Sequence, residues 1–448
     1  MALVNKSYII IEQNINDLSD NKNQFDDEKT DEIKKYRHTI KYLKSIPKFE
    51  QKSVNWLKQR SQYIGGSEAG TLVDANHYEP YYKLILKKVH EVPFINFAAT
   101  YIGNKYENIA NMIYEYLMNV RIDEYGFIPH KTIKFIGASP DGIVSKYKYD
   151  GIHKTSMVGK MLEIKCTVTR KINMDDDAEP LEIVPIYYYP QLQQQLETCD
   201  LDECDFWQIK PVEYNTRDEF KEDTSKKCHF KTIDEKFKGV VIQILPISKF
   251  KGISLNNPDK KLFNEIYKNA KFMYPPRIDM TQKELFKWIN DVKHKNIPDD
   301  LDDEIINNNY KIRNGYAYHK AFYWKVDYGR CTNIKRDKEW FKKYYPKYEK
   351  TWEYITFLRE NPQMCQIFIR YVDYIEKNKS DLTDSKNPAN KIIIKALDKL
   401  CKYSLESTEV RELCDDCGLI LNDDGFIDDK ETECEFPGYC KYRKSNKK

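Results

Sequence analysis

Apolar positions along the chain change their period twice. Over residues 97–120 a helical stripe carries Ile102, Ile109, Ile113 and Val120, and shorter helical patterns surround Trp56 and Leu84. Strand-like runs then gather around Phe135, Leu162 and Trp207 and in "GVVIQILPI" at 239–247. Between Leu162 and Trp207, the residues Tyr188, Leu192, Leu196 and Cys199 recur at helical spacing. Helix, strands, helix and strand in that order predict an α/β core of roughly 200 residues. Beyond Phe250 the period becomes helical again over 259–274, 281–293, 337–360 and 391–403, so the second half reads as mostly α. Residues 17–35 are polar and charged and read as a disordered or frayed entry. The expected units are a charged, partly helical extension over 1–50, the α/β core over 51–250, a helical region over 251–410 and a cysteine-bearing tail over 411–448.

Composition narrows the partners. The 448 residues carry 73 Lys and Arg against 70 Asp and Glu, a net charge of +3, so any affinity for nucleic acid must come from local patches. No apolar stretch approaches the ~18 residues of a membrane span, and the first residues lack a basic segment followed by an apolar run. A soluble, intracellular protein with no membrane partner is the expectation. Eleven cysteines in that setting read as free thiols or metal ligands.

The chemistry-bearing residues sit in the core. In "GASPDGIV" (137–144) Asp141-Gly142 lies between apolar runs, the signature of a tight hairpin. In "KMLEIKCT" (160–167) strand alternation puts Glu163 and Lys165 on one face and Ile164 on the other. If the two strands are neighbours, Asp141 and Glu163 can share a divalent cation, with the lysine beside a bound water. Mg2+ takes hard oxygen ligands and keeps several waters. A metal pair about 3.5–4 Å apart can stabilise both the attacking and the leaving oxygen of a phosphodiester. The same pattern also fits an ion pair on an edge strand, and spacing alone leaves both readings open.

Five segments in order carry more. "WLKQRSQYIGGSEAG", "YIGNKYENIA", "GASPDGIV", "LEIKC" and "YYYPQLQQQL", spread over residues 53–210, resemble the lambda-exonuclease or YqaJ-like viral recombinase nucleases of the PD-(D/E)xK superfamily, most of all their giant-virus members. The resemblance implies a restriction-endonuclease-like core, a mixed central sheet flanked by helices, with a mostly helical C-terminal half. It implies that Asp141, Glu163 and the backbone carbonyl of Ile164 hold one Mg2+ or Mn2+, and that Glu107 serves a second ion. Lys165 would act on the attacking water and Gln191 would position it, with Gln193 as the next candidate in the glutamine run. Arg60 and Ser67 would grip a terminal 5′-phosphate, the guanidinium fork meeting two phosphate oxygens. Ser67 also reads as a helix cap. The implied activity is a Mg2+/Mn2+-dependent 5′→3′ exonuclease on linear double-stranded DNA with 5′-phosphate ends, in a host cytoplasm or viral factory. An endonuclease of the same superfamily, or a catalytically silent DNA-binding scaffold, are the alternatives; retention of every chemical position speaks against the silent one. Homo-oligomeric rings and a helicase or recombination partner are the assemblies that the resemblance suggests.

Two features lie outside this core. Residues 323–350 carry nine Lys/Arg against four Asp/Glu among many aromatics, a pattern suited to phosphates and bases. Trp340, Tyr344, Tyr348 and Trp352, spaced by four, favour an amphipathic helix with an aromatic core stripe. In the tail, Cys414-x2-Cys417 and Cys434-x5-Cys440 suit a structural Zn2+ held by four thiolates, which would stabilise a segment of nine acids and one lysine. A CRISPR-associated relative of these nucleases holds an iron–sulfur cluster with one cysteine before the core and three after it. Here no cysteine precedes Cys166, which weighs against a cluster.

Overall fold

The computed structural model describes residues 7–9, 30–48, 59–90, 98–167, 169–255, 258–295, 315–378 and 388–419. Trp56, Cys434 and Cys440 lie outside them. The strands are β1 (Ser7–Ile9), β2 (Ile64–Gly65), β3 (Ile122–Asp123), β4 (Ile128–Pro129), β5 (Ile136–Ala138), β6 (Gly142–Val144), β7 (Met161–Cys166), β8 (Glu203–Glu213), β9 (Lys238–Pro246), β10 (Lys271–Met273) and β11 (Tyr316–Lys335). The longer helices are α1 (Thr30–Ser45), α2 (Tyr81–Val89), α3 (Ala98–Met118), α4 (Tyr189–Cys199), α5 (Lys260–Asn269), α6 (Gln282–Lys295), α7 (Lys338–Glu360), α8 (Pro362–Lys377), α9 (Pro388–Lys402) and α10 (Thr408–Cys417). α1 therefore occupies part of the segment expected to be frayed. Among the described residues no helix is long and apolar enough to cross a membrane.

The main sheet runs β10-β9-β11-β8-β7-β6-β3, with β1 paired to the far end of β11. Only β7 and β8 are parallel among its neighbours, all the rest being antiparallel. A parallel pair cannot be joined by a tight turn; the chain leaves β7, crosses over through α4 and returns as β8. That crossover fixes where α4 lies. Met161 packs with Leu192, Leu196 and Phe206 on the α4 side, while Leu162 and Ile164 pack with Tyr106, Ile109 and Ile113 of α3 on the other. Both faces of β7 are covered, so its pattern is nearly continuous in apolar residues, and Glu163 stands out as a charge in a buried strand.

The expected hairpin at Asp141-Gly142 does not form. β5 before it belongs to a small sheet of order β2-β5-β4, and β6 after it pairs with β7 and β3 in the main sheet. Asp141 sits where the chain passes from one sheet to the other. The turn chemistry is local, but which strands flank it is decided by long-range pairing.

The second half is mostly helical with one large exception. β11, a strand of 20 residues wholly beyond the expected boundary at residue 250, joins the sheet of the first half between β9 and β8. It pairs with β9 through Tyr316–Lys325 and with β8 through Trp324–Lys335. The basic, aromatic stretch at 323–350 is thus half strand and half helix. In the helical half, Tyr348 is fully buried, and Trp340, Tyr344 and Trp352 pack against the cluster formed by α2 and α7–α10, as a core stripe does. The helix expected over 259–274 stops at Asn269, and Lys271–Met273 forms an edge strand on β9. The helical half is braced on the core: Tyr348 Oη donates to Gln194 Oε1 of α4 (3.0 Å), and Tyr81 of α2 shares a hydrogen bond with Thr351 of α7 (2.7 Å).

Two glycines separate packing from mere occurrence. A Cβ on Gly70, in the one-turn helix Ala69–Leu72, would lie 2.4 Å from the backbone oxygen of Tyr187, which cannot swing away. A Cβ on Gly103, inside α3, would meet nothing within 4 Å. Gly70→Ala is therefore expected to destabilise the protein by about 2 kcal/mol through overpacking. Gly103→Ala should leave stability unchanged or raise it by up to about 1 kcal/mol, the ordinary helix preference. Urea midpoints of the two variants, measured side by side, check this.

Candidate active site

Glu163 is the hub. Its side chain is 1% exposed, and three donors from two elements converge on it. Lys165, two residues along β7, donates its Nζ to Oε1, and Gln191 Nε2 reaches the same oxygen at 2.6 Å. Gln195 Nε2 donates to Oε2 at 3.0 Å. Gln191 and Gln195 are one turn apart on α4, so one helix face holds both oxygens of the carboxylate.

Asp141 approaches from the sheet-to-sheet passage. Its Oδ2 accepts the backbone N–H of Ile164 at 2.6 Å. The reason is sheet geometry. The last β6 pair is Gly142 with Leu162, so β7 has no β6 partner from Glu163 onward. The N–H of Thr167 bonds Ile209 of β8, and backbone groups alternate sides along a strand, so both polar groups of Ile164 face the opposite side, where Asp141 lies. Burial, then the neighbouring Glu163 and Glu107 carboxylates, push the Asp141 carboxyl well above its usual range. Lys165 shows the converse: burial opposes its charge, but Glu163 and Asp141 outweigh it and hold the ammonium more firmly protonated than usual. The ring of Tyr188 lies 4.9 Å from Lys165 Nζ and adds a cation–π contact.

These residues fit a hard divalent cation. Two carboxylates and a strand carbonyl offer only oxygen, and the two acids repel one another in a buried space that a cation would relieve. Glu107, on α3, is half-buried and near enough to raise the pKa of Asp141 and of the Cys166 thiol. Among the described residues no three His, Cys, Asp or Glu side chains are close enough to share one ion as they stand. The Asp141–Glu163 pair is thus the nucleus of the site, and Glu107 stands beside it. Mg2+ sites with one or two protein carboxylates are ordinary, since water and phosphate oxygens complete the shell.

Other expectations fare differently. Gln193 faces away from the carboxylates: its Nε2 donates to Lys335 O (2.9 Å) and its Oε1 accepts from the Asp337 N–H (2.6 Å), tying α4 to the junction of β11 and α7. Gln194 is likewise structural, bonding the oxygens of Ile64 (2.8 Å) and Gly137 (2.9 Å) in the small sheet. Gln195 takes the place offered to Gln193. Positions 191 and 195 share a helix face and 191 and 193 do not, which is a signal the glutamine run already contained.

Arg60 and Ser67 do meet, the guanidinium donating to the Ser67 hydroxyl. Ser67 is not the cap, however. The turn Gly66–Glu68 is capped by Glu68, whose Oε2 accepts the Gly65 N–H at 2.7 Å. The helical turns at 66–72 are too short to offer much dipole to an anion. Lys88, missed by sequence reasoning, is the buried strut of this corner. It pairs with Glu68 (2.9 Å) and donates to Tyr63 O (2.6 Å); burial lowers its pKa against the pull of Glu68. The corner abuts the carboxylate site: a Cβ on Gly66 would lie 3.0 Å from Gln195 Cγ. In the tail, Cys414 and Cys417 lie one turn apart on α10, and Cys414 is buried in the helical core. Burial pushes the Cys414 thiol up to about 12.

Comparison with known proteins follows the same outline. Residues 55–202 match the YqaJ-like viral recombinase domain. An uncharacterised protein, R354, of Acanthamoeba polyphaga mimivirus is 34% identical over 359 residues, which are 78% of this chain and 61% of that protein. The chain thus spans about three-fifths of the length of this curated relative. Among solved structures, the alkaline exonuclease LHK-Exo of Laribacter hongkongensis aligns with 35% of this chain and 74% of its own, at 21% identity and a TM-score of 0.26. The same enzyme in complex with dAMP aligns over the same shares at 23% identity and the same TM-score. All five segments, with the acids, lysine and glutamines that gather around Glu163, fall within the region 55–202 that matches the YqaJ-like viral recombinase domain.

Proposed function

We propose that the protein is a metal-dependent DNA nuclease that hydrolyses phosphodiester bonds, working as a 5′→3′ exonuclease on linear duplexes. The observation that carries this reading is the meeting of Asp141, from the passage between the two sheets, and Glu163, from β7, in one buried space beside the Lys165 ammonium. A surface ion pair on an edge strand, the competing reading of the same sequence, is not buried, does not recruit two glutamines and does not raise a neighbouring carboxyl.

In this reading Asp141, Glu163 and the Ile164 carbonyl hold Mg2+ or Mn2+, with Glu107 beside them. Such an ion, when bound, supplies Lewis acidity and offsets the charge of the scissile phosphate. Gln191 and Gln195 fix the plane of the Glu163 carboxylate. Lys165 presents its ammonium to the pocket, where it donates to an attacking water or to a phosphate oxygen. It turns into a proton acceptor only when the hold of the two carboxylates is weakened. Arg60 and Ser67, across the Gly66–Glu68 turn, receive the terminal phosphate and set the scissile bond at a fixed distance from the end. An endonuclease has no use for that pocket.

Three outcomes test this. Lys165→Ala should slow Mn2+-dependent digestion of linear duplex DNA by about 100-fold or more, while affinity for the duplex in Ca2+ stays within about three-fold of wild type, as a phosphate contact less would allow. Arg60→Ala should lower the rate on 5′-phosphorylated ends by about 10-fold or more, the worth of a charged hydrogen bond, and leave 5′-hydroxyl ends unchanged; equal loss on both rules out a terminal-phosphate pocket. Asp141→Asn should abolish cutting yet raise the melting temperature of the metal-free protein at pH 8 by about 2 °C. The sign follows from the raised pKa. Above the ordinary carboxylate range the folded protein binds more protons at Asp141 than the unfolded chain does, so the native aspartate costs stability as pH rises. The gain in the variant therefore shrinks as pH falls and Asp141 becomes neutral. Differential scanning fluorimetry across pH reads it.

A further inference from the structure

The nuclease reading leaves one group of side chains unused. From Lys165 a run of rings leads outward to solvent. Tyr188 lies under the ammonium, and the Tyr187 ring is 4.5 Å from it. Tyr187 in turn meets His77 and Tyr78, each at 5.6 Å and edge-on, and those two rings lie 3.9 Å apart. At the outer end Tyr78 is 73% exposed, and Ile186 at 67% and Leu181 at 61% are exposed on the same connection as Tyr187. Three of the nine exposed large apolar residues among those described therefore lie on the two segments that carry these rings.

The rings are held rather than frayed. The turn at 74–79 is fastened by Ala75 N–H and Asn76 N–H to Gly70 O (2.9 and 3.0 Å) and by Asn76 Nδ2 to Thr71 Oγ1 (3.0 Å). Tyr78 N–H donates to Asn76 Oδ1 at 3.1 Å. Gly70 itself sits directly against the backbone of Tyr187, so the two ring-bearing segments are locked together. An aromatic that is solvent-exposed, stiffly mounted and in contact with a half-buried ring is arranged for stacking. Its edge-on contact with Tyr187 leaves a ring face open.

The charges nearby select the ligand. The connection that carries Ile186 and Leu181 also exposes Asp175, Asp176, Asp177, Glu179 and Glu182, with Arg170 near Tyr187 as the counter-charge. Such a border repels a phosphate backbone lying along it. Paired bases show no face to a protein, but an unpaired base stacks on an aromatic ring whatever its identity.

We infer that the His77–Tyr78–Tyr187–Tyr188 run, with Ile186, is a stacking platform for unpaired bases of a single-stranded DNA segment next to the cleavage site. It takes the bases, while the backbone turns toward Arg60 and Lys165. This rests on the nuclease reading for its orientation, and it adds a substrate feature: duplexes with a short single-stranded tail bind more tightly than blunt ones.

The test uses the full chain in Ca2+ and fluorescence anisotropy with a labelled blunt duplex and with the same duplex bearing a single-stranded tail of several nucleotides on either strand. Stacking is worth about 1–3 kcal/mol per base. Tyr78→Ala should therefore weaken binding of at least one tailed duplex by about 10-fold, leave the blunt duplex within two-fold, and not change the melting temperature. Tyr78→Trp should restore the tail preference, which a merely structural role for the tyrosine would not predict. Tail binding unaffected by Tyr78→Ala and Ile186→Ser overturns the platform. Equal loss on blunt and tailed DNA does so too, as does sedimentation showing that the patch instead joins two copies of the chain. Digestion by the wild type in Mn2+ is scored separately. Cutting without a Tyr78-dependent tail preference removes the platform alone, and a tail preference without any cutting removes the nuclease reading alone.

Discussion

Two acids and an ammonium confined where little water screens them govern the rest of this molecule. Asp141 and Glu163 repel each other in a buried space, and neither would remain there charged without help. The help is specific: Lys165 and two glutamines on Glu163, one backbone N–H on Asp141. Each donor needs its own support. The glutamines require α4 to lie on the Glu163 face of the sheet, which the parallel pairing of β7 with β8 enforces. The N–H requires β6 to stop at Gly142 so that Ile164 is left open. The sheet, its crossover and its early termination can all be read as the scaffold that keeps like charges close.

That arrangement also explains why the helical half is attached where it is. α4 carries four glutamines' worth of duties on different faces. Gln191 and Gln195 serve the carboxylate, Gln193 the β11–α7 junction, and Gln194 both the small sheet and Tyr348 of α7. A helix so pinned cannot tilt without breaking bonds on several sides. The C-terminal helices thus contribute to the pocket indirectly, by fixing the helix that fixes Glu163. Positioned groups of this kind lose much of their worth when they drift by an ångström.

What could be seen in the sequence divides along physical lines. The period of α3, the alternation in β7 and the helical spacing of α4 are local, and they put Glu163 and Lys165 on one strand and Gln191 on a helix, as observed. The Asp141 turn is local too, but its flanking strands join different sheets, and no window of a few residues encodes that choice. β11 was hidden for a related reason. Its residues "YAYHKAFYWKVDYGRCTNIK" alternate poorly, because the first half pairs with β9 and the second with β8, only Trp324 and Lys325 pairing with both, and β1 adds a further neighbour at residues 330–332. Gln195 was within reach of helix geometry. Lys88 was not, since a lysine near a helix end is ordinarily a solvated one, and only the fold buries it against Glu68.

The long central strand has a consequence for how the chain comes into being. β8, which neighbours the strand carrying Glu163 and Lys165, obtains its second partner only from residues 324–335. Until Lys335 has emerged from the ribosome, the pocket's own sheet has an open edge, and contacts across such sequence distances close slowly. During that interval the exposed edge is a template for pairing with other nascent chains. A cell making this protein in quantity must carry it through a vulnerable window late in translation, and the cause is one strand's position in the chain order.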